Sequence, residues 1–259
     1  MDLLGHERYL AAVEADARLF AAAMAEGDPE VMVPSCPEWR LVNLCTHLGK
    51  VHRWVTQIVS TRAQERVDWS ALPDAKAPAD PAGLAEWLLR GALQVTAVLR
   101  EAGPGVPVWG WAGEHSTGWW GRRMAQETLV HRIDAELAVG GTPGGIDAEL
   151  AADNIDELLA NAFAPASRAF PNRDRLRGEG EGDSLHVHCT DVPGEWLLRR
   201  TPEGFTYEHG HAKGDAVLRG PAAELMLLVN KRLPDGRNDV QVIGDDRVVG
   251  LWLDGLTLD

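Results

Sequence analysis

Three residues of this chain have types and spacing that could hold a metal ion: Glu127, His131 and, far upstream, His47. Glu127 and His131 are four residues apart in a segment with a helical pattern, so their side chains share one helix face. His47 lies on the apolar stripe of another predicted helix. Three protein ligands that leave one coordination position open are typical of a catalytic zinc ion rather than a structural one. Such an ion can hold a thiol as its reactive thiolate.

The first 165 residues have the pattern of a helical domain, and this domain must position the three candidate ligands. Apolar residues at helical spacing predict helices over 3–25, 37–55, 83–101, 119–139 and 146–163. The motif Ser35-Cys36-Pro37-Glu38 predicts a capping box with proline in the first turn, and therefore the start of the second helix. On the stripe of the fourth helix, Met124 is the one large neighbour of Glu127 and His131, which leaves space beside them.

A polar, glycine-rich stretch over 170–182 predicts a domain boundary. After it, short segments that alternate apolar and polar residues predict strands, joined by two short helices over 221–233 and 245–253. The predicted class is therefore α+β, mainly α, with a helical domain over 1–165 and a small α+β domain over 166–259.

The composition of the 259 residues excludes several kinds of partner. A net charge of −14 argues against nucleic acid and against an anionic membrane, because both require a basic surface. No apolar run approaches the roughly 20 residues that span a bilayer. Three cysteines without paired spacing suggest reduced thiols. We expect a cytoplasmic protein without a signal peptide, as a monomer or homodimer.

Four of the ten tryptophans fall within twelve residues, just before the helix of Glu127 and His131. The glycine-rich loop over 103–118 contains two of them, Trp109 and Trp111, and long ordered loops are often functional. Trp109 and Trp111 are therefore candidates for the wall of a cofactor pocket. The alternative is that they fill the core.

Three arginines are candidates for binding an anion. Arg122 and Arg123 open the fourth helix near the positive end of its dipole, where a cation is unfavourable. This placement predicts that one of them binds an anion or a carboxylate near the site. Arg219, before a Gly-Pro pair in the second domain, could contact an acidic substrate, and an exposed charge is the alternative.

The other histidines have simpler interpretations. His52 follows His47 by five residues, which turns it about 140° around the helix, so we expect it behind the ligands or at the surface. His186 and His188 share one face of a predicted strand and could chelate a metal, but an exposed sheet face is the favoured interpretation. The turn that contains His211 predicts a solvated side chain.

Two segments, 33–49 and 122–136, resemble the hallmark segments of the mycothiol-dependent maleylpyruvate isomerase family. A third segment, 215–225, resembles the recurring segment of that family's second domain. The resemblance covers nearly the whole chain. It implies a DinB-like four-helix bundle followed by a small α+β domain.

The resemblance also implies a ligand set. The family's metal ligands match His47, Glu127 and His131 in this sequence. The chain departs from the family pattern at Gln126, where relatives often carry histidine beside the glutamate; this affects a contact behind the ligands rather than a ligand.

Together with the three-ligand site, the resemblance implies a zinc-dependent enzyme that activates mycothiol, with a small acidic or electrophilic molecule as its substrate. The reaction is either cis–trans isomerisation of a maleylpyruvate-like acid or transfer of the thiol to an electrophile. The metal-bound thiol is the expected nucleophile, and no side chain is assigned that role. A hydrolase whose metal activates water and a non-catalytic thiol-binding or metal-binding accessory protein remain alternatives, because a fold does not determine a reaction.

Overall fold

The computed structural model describes residues 4–112, 115–164, 171–178, 182–234, 236 and 239–256. These residues form seven α-helices and two β-sheets, which confirms the predicted α+β, mainly helical class. None of the described helices is long and apolar enough to cross a bilayer. The chain divides into two compact units, Leu4–Gly144 and a second one that starts at Gly145.

Four helices make up most of the first unit. The first and the second helix both pack against the third and the fourth, so the apolar stripes of all four face a common interior. A short two-stranded hairpin precedes the second helix and contacts the fourth. The elements are α1 (His6–Glu26), β1 (Met32–Val33), β2 (Cys36–Arg40), α2 (Leu41–Ser60), α3 (Pro81–Ala102) and α4 (Thr117–Ala138).

The predicted capping box at Ser35-Cys36-Pro37-Glu38 is wrong. Pro34 and Ser35 form the turn between β1 and β2, and α2 begins only at Leu41. The first turn of α2 is closed by Asn43, whose Oδ1 accepts a hydrogen bond of 3.0 Å from the backbone N–H of Arg40. Proline and serine suit a tight turn as well as a helix start, so the local sequence fits both structures.

A close contact between α2 and α3 fixes the helix that carries His47. Gly49 lies against the ring of Trp87, and a Cβ atom at this position would be 2.0 Å from Trp87 Cζ3. One turn further, the guanidinium of Arg53 stacks 3.8 Å from the centre of the same ring. It also donates to the carbonyl oxygens of Gly49 and Trp87 and to the Asp74 carboxylate. The helices can approach this closely only because residue 49 has no side chain.

A buried ion cluster fixes α4 against α1. Arg132 is fully buried and donates to Asp16 Oδ1 at 3.1 Å and to Glu136 Oε2 at 2.9 Å. It also donates to the carbonyl oxygen of Gly144 at 2.8 Å. A buried charge without partners would be strongly destabilising, so these contacts restrict how α4 can rotate.

The second unit is built on a five-stranded sheet in the order β5-β4-β3-β6-β7. Only the β3–β6 pair is parallel among these described strands. The unit includes α5, which packs against α6 and β5, whereas the sequence pattern groups this helix with the preceding ones. The elements are α5 (Ala148–Phe163), β3 (Gly182–Cys189), β4 (Glu195–Thr201), β5 (Gly204–His209), β6 (Ala216–Gly220), α6 (Ala222–Val229), β7 (Gln241–Gly244) and α7 (Asp246–Gly255).

The contact at Gly49 can be tested by adding one methyl group. We expect Gly49→Ala to lower the free energy of unfolding by about 1–3 kcal/mol, the usual cost of overpacking, because Trp87 and Arg53 are held too firmly to move aside. Urea unfolding measures this change. Gly250→Ala is the matched control, since Gly250 is helical with open space around it, and it should stabilise by about 0.5–1 kcal/mol. Equal effects of the two substitutions would contradict the close contact.

Candidate metal centre

The structure brings His47, Glu127 and His131 together. Glu127 Oε1 lies 3.2 Å from His47 Nε2 and 3.3 Å from His131 Nε2. In a tetrahedral zinc site with bonds of about 2.0–2.1 Å, neighbouring ligand atoms are about 3.3 Å apart. The three side chains are 31%, 20% and 12% exposed, so the cluster is sheltered but reachable by a small molecule. The described atoms therefore fit three ligands of one ion, with a further position open.

The two carboxylate oxygens of Glu127 have different partners. Oε1 contacts the histidines, whereas Oε2 accepts a hydrogen bond of 2.7 Å from Arg123 Nη2, one helical turn away. Burial opposes the charge of Glu127, but His131, His47 and Arg123 outweigh it and hold the pKa well below its ordinary value. The carboxylate is therefore ionised and oriented, as a metal ligand requires.

A second carboxylate orients His131. Asp134 Oδ2 lies 2.9 Å from His131 Nδ1, which turns Nε2 towards Glu127. Asp134 is fully buried, and its Oδ1 accepts a hydrogen bond of 2.5 Å from the Ser35 hydroxyl. Carboxylates behind ligating histidines are a common feature of metal sites. Burial lowers the pKa of His131, but Glu127 and Asp134 outweigh it and raise the pKa to about 9, so an ion at Nε2 displaces a proton.

Trp39 on β2 forms one wall of the cluster. Its ring centre lies 4.8 Å from that of His47 and 6.3 Å from that of His131. The spacing rules that identify ligands do not identify Trp39, because it reaches the site from a hairpin rather than from a helix stripe. It provides an apolar surface that limits water on one side of the histidines.

His52 is buried behind the ligands, on the inside of the first unit. Its Nε2 lies 3.0 Å from Thr128 Oγ1, and the Thr128 hydroxyl donates to the carbonyl oxygen of Met124 at 2.7 Å. His52 Nε2 is therefore the donor in this contact. Burial is the main reason why the pKa of His52 falls to about 3, so the ring is neutral at neutral pH.

Trp109 and Trp111 lie in an aromatic cluster. The ring of Trp109 is 5.4 Å from Trp54 and 6.3 Å from Trp120, centre to centre, and Trp120 Nε1 donates to the Trp109 carbonyl oxygen. Trp111 packs edge-on against Trp119 at 5.4 Å. These contacts are of the kind that the core-filling alternative predicts, and the pocket-wall role stays a prediction.

The remaining candidates lie in different places. Arg122 precedes Glu127 by five residues of α4, which turns it about 140° away from the ligand face that Arg123 shares. Gln126 is fully buried. Arg219 is exposed on β6 of the second unit, where its Nη1 lies 3.3 Å from Gln241 Oε1.

The burial of His52 predicts a specific loss of stability in acid. Its pKa is about 3 in the folded chain and 6.5 ordinarily, so below pH 6.5 the unfolded chain binds a proton that the folded chain does not. Stability is therefore complete above pH 6.5 and is lost as the pH falls towards 3. Between pH 7 and pH 5 we expect a loss of about 2 kcal/mol from this residue.

The measurement is urea unfolding at pH 7, 6 and 5 with a chelator present, so that metal release does not contribute. His52→Gln keeps an N–H donor for Thr128 but cannot titrate, and its stability should fall about 2 kcal/mol less over this range. Parallel pH profiles of the two proteins would contradict a neutral, buried His52.

The chain resembles known proteins in both sequence and fold. The profile of the mycothiol maleylpyruvate isomerase N-terminal domain matches residues 10–136. A crystal structure of the mycothiol-dependent maleylpyruvate isomerase has the same fold, with a TM-score of 0.56 and 14% identity over 92% of this chain and 93% of that one. A crystal structure of a histidine-to-alanine variant of such an isomerase matches with a TM-score of 0.54 and 12% identity, over 92% of this chain and 93% of that one. No curated protein sequence matches. Residues 10–136 therefore form the N-terminal domain of the mycothiol maleylpyruvate isomerase family.

Proposed function

We propose that this protein is a metal-dependent enzyme that uses mycothiol, either to isomerise a maleylpyruvate-like acid or to transfer the thiol to an electrophile. One observation carries the proposal: His47, Glu127 and His131 converge from two helices within a domain of this family. The favoured ion is zinc, although nitrogen and oxygen ligands also suit other first-row divalent metals.

The described residues fit such an ion. Two imidazole nitrogens and one ionised carboxylate oxygen lie within 4.8 Å of one another, and the three side chains are 12–31% exposed. Three protein ligands with an open position characterise catalytic rather than structural zinc. A zinc ion held there would supply the positive charge that keeps a coordinated thiol deprotonated at neutral pH.

Residues around the cluster keep the ligands in position. Arg123 holds Oε2 of Glu127, so that Oε1 faces the histidines. Asp134, itself held by Ser35, fixes the orientation of the His131 ring. Trp39 covers His47 on one side. This arrangement holds the ligands before any substrate binds, so little reorganisation is required during the reaction.

The substrate has two requirements in this proposal: an electrophilic carbon for the thiol sulfur and an anionic group for an arginine. In the isomerase, the cis double bond accepts the sulfur, becomes a single bond that rotates, and forms again as the trans isomer when the sulfur leaves. In the transferase the sulfur remains bound. A wall of the thiol pocket at Trp109, Trp111, Arg122 and Arg123, and a contact of Arg219 with a substrate carboxylate, stay predictions from the sequence.

The ligand assignment is tested by metal content and activity together. We expect the triple variant His47→Ala/Glu127→Ala/His131→Ala to lose one ion per chain and all thiol-dependent turnover. Asp134→Asn should keep the fold but weaken metal affinity by about 10–100-fold, because it orients a ligand without binding the ion. Glu101→Gln, at an exposed carboxylate of α3, is the control and should change neither quantity. Full metal content in the triple variant would refute the site.

Dependence on the thiol separates this proposal from a hydrolase. Conversion of maleylpyruvate to its trans isomer, followed by chromatography, should require mycothiol and stop when a chelator removes the metal. The rate should already rise well below pH 8.5, the approximate pKa of a free thiol, since the bound thiol loses its proton more easily. A reaction that proceeds unchanged without thiol would indicate that the metal activates water. Tight thiol binding without turnover of any electrophile would indicate an accessory protein.

A further inference from the structure

A second group of potential metal ligands lies in the second unit, on residues that the proposed reaction does not use. It contains His186 and His188 of β3, Glu195 at the start of β4, and His211, two residues after the end of β5. The sequence pattern favours exposed, solvated histidines here. The structure instead gathers all three around one carboxylate.

The register of the sheet produces this gathering. His186 and His188 are two residues apart on β3, so their side chains share one face. In the antiparallel pairing of β3 with β4, Glu195 lies directly opposite His188. The backbone N–H of Gly210 donates to the Glu195 carbonyl oxygen at 3.0 Å, and Gly210 has a φ of +123°, which few other residues adopt. This turn brings His211 back over Glu195.

The distances match those of a metal site. Glu195 Oε2 lies 3.1 Å from His186 Nε2, 3.2 Å from His188 Nδ1 and 2.8 Å from His211 Nδ1. Ligand atoms of tetrahedral zinc are about 3.3 Å apart, as for the cluster in the first unit. The three imidazole rings are mutually inclined by 86–88°, so none stacks on another and each nitrogen can face a common centre.

Hydrogen bonds alone explain the cluster poorly. All three nitrogens approach the same oxygen, Oε2, and a carboxylate oxygen has two lone pairs. A cation between the four atoms would accept a lone pair from each of them. The side chains also range from almost fully buried His186 to His211, which is 77% exposed, so an ion could enter from solvent.

We propose that His186, His188, Glu195 and His211 bind a divalent transition-metal ion, best suited to zinc, as a second metal site of this protein. Four protein ligands complete a tetrahedral shell, so this site is structural, unlike the three-ligand centre of the first unit. The ion joins β3, β4 and the segment after β5. The hydrogen bonds of the sheet connect these three segments only in part.

The test counts metal ions in a full-length chain without a polyhistidine tag. The protein is stripped with a chelator and titrated with Zn²⁺ and Co²⁺, with bound metal measured by mass spectrometry and the cobalt geometry by visible absorption. His47→Ala/His131→Ala serves as the background, because it removes the proposed first site. We expect this background to bind one ion per chain, with the intense visible bands of tetrahedral cobalt.

Adding His188→Ala and His211→Ala to the background should abolish this binding, and circular dichroism should show a folded chain, since both side chains are partly or largely exposed. Glu195→Gln, which preserves size, should weaken the affinity at least about 100-fold, more than the loss of a residue that only orients a ligand. The control is His115→Ala, at an exposed histidine of the first unit, which should leave binding unchanged. The second site would be overturned if the background variant bound no ion, or if its metal affinity were the same with and without His188→Ala and His211→Ala. Either result would leave the test of the first site unaffected.

Discussion

The charge of the partly buried Glu127 is the constraint on which the first unit depends. A carboxylate held between two helices is unfavourable unless cations or hydrogen-bond donors surround it. His47 and His131 approach one of its oxygens and Arg123 the other, so the charge is compensated on both sides. These partners come from both α2 and α4, and the two helices must therefore face each other in one register. The same requirement creates a place where a cation can bind.

Contacts away from the ligands maintain that register. Trp87 of α3 packs against Gly49, two residues from His47, and so determines how closely α2 approaches. On the other side of α4, Arg132 connects the helix to Asp16 of α1. A helix that is restrained on the face away from the ligands has little freedom to rotate the face that carries them. The candidate centre thus obtains its geometry from the packing of the whole unit rather than from the three ligands alone.

Helix periodicity was enough to place Glu127 and His131 on one helix face and His47 on the stripe of another helix, because both placements depend on short-range spacing. The resemblance to the family joined the three residues into one predicted ligand set, and strand alternation after residue 182 added the β part of the α+β class. Features that depend on long-range pairing were missed. Ser35 fits a helix cap and a hairpin turn equally well, and only its contact with Asp134, 99 residues away, distinguishes them. Likewise, strand alternation places His186 and His188 on one face, but only the register of β3 with β4 and the turn at Gly210 bring Glu195 and His211 to them.

The proposed function requires that one ion be coordinated by the three residues of α2 and α4. Anomalous diffraction from crystals of the zinc-loaded protein, recorded on both sides of the zinc absorption edge, tests it most directly. We expect a peak about 2.0–2.2 Å from His47 Nε2, Glu127 Oε1 and His131 Nε2, with Asp134 outside bonding distance. No anomalous peak among these three atoms in fully loaded crystals would contradict it.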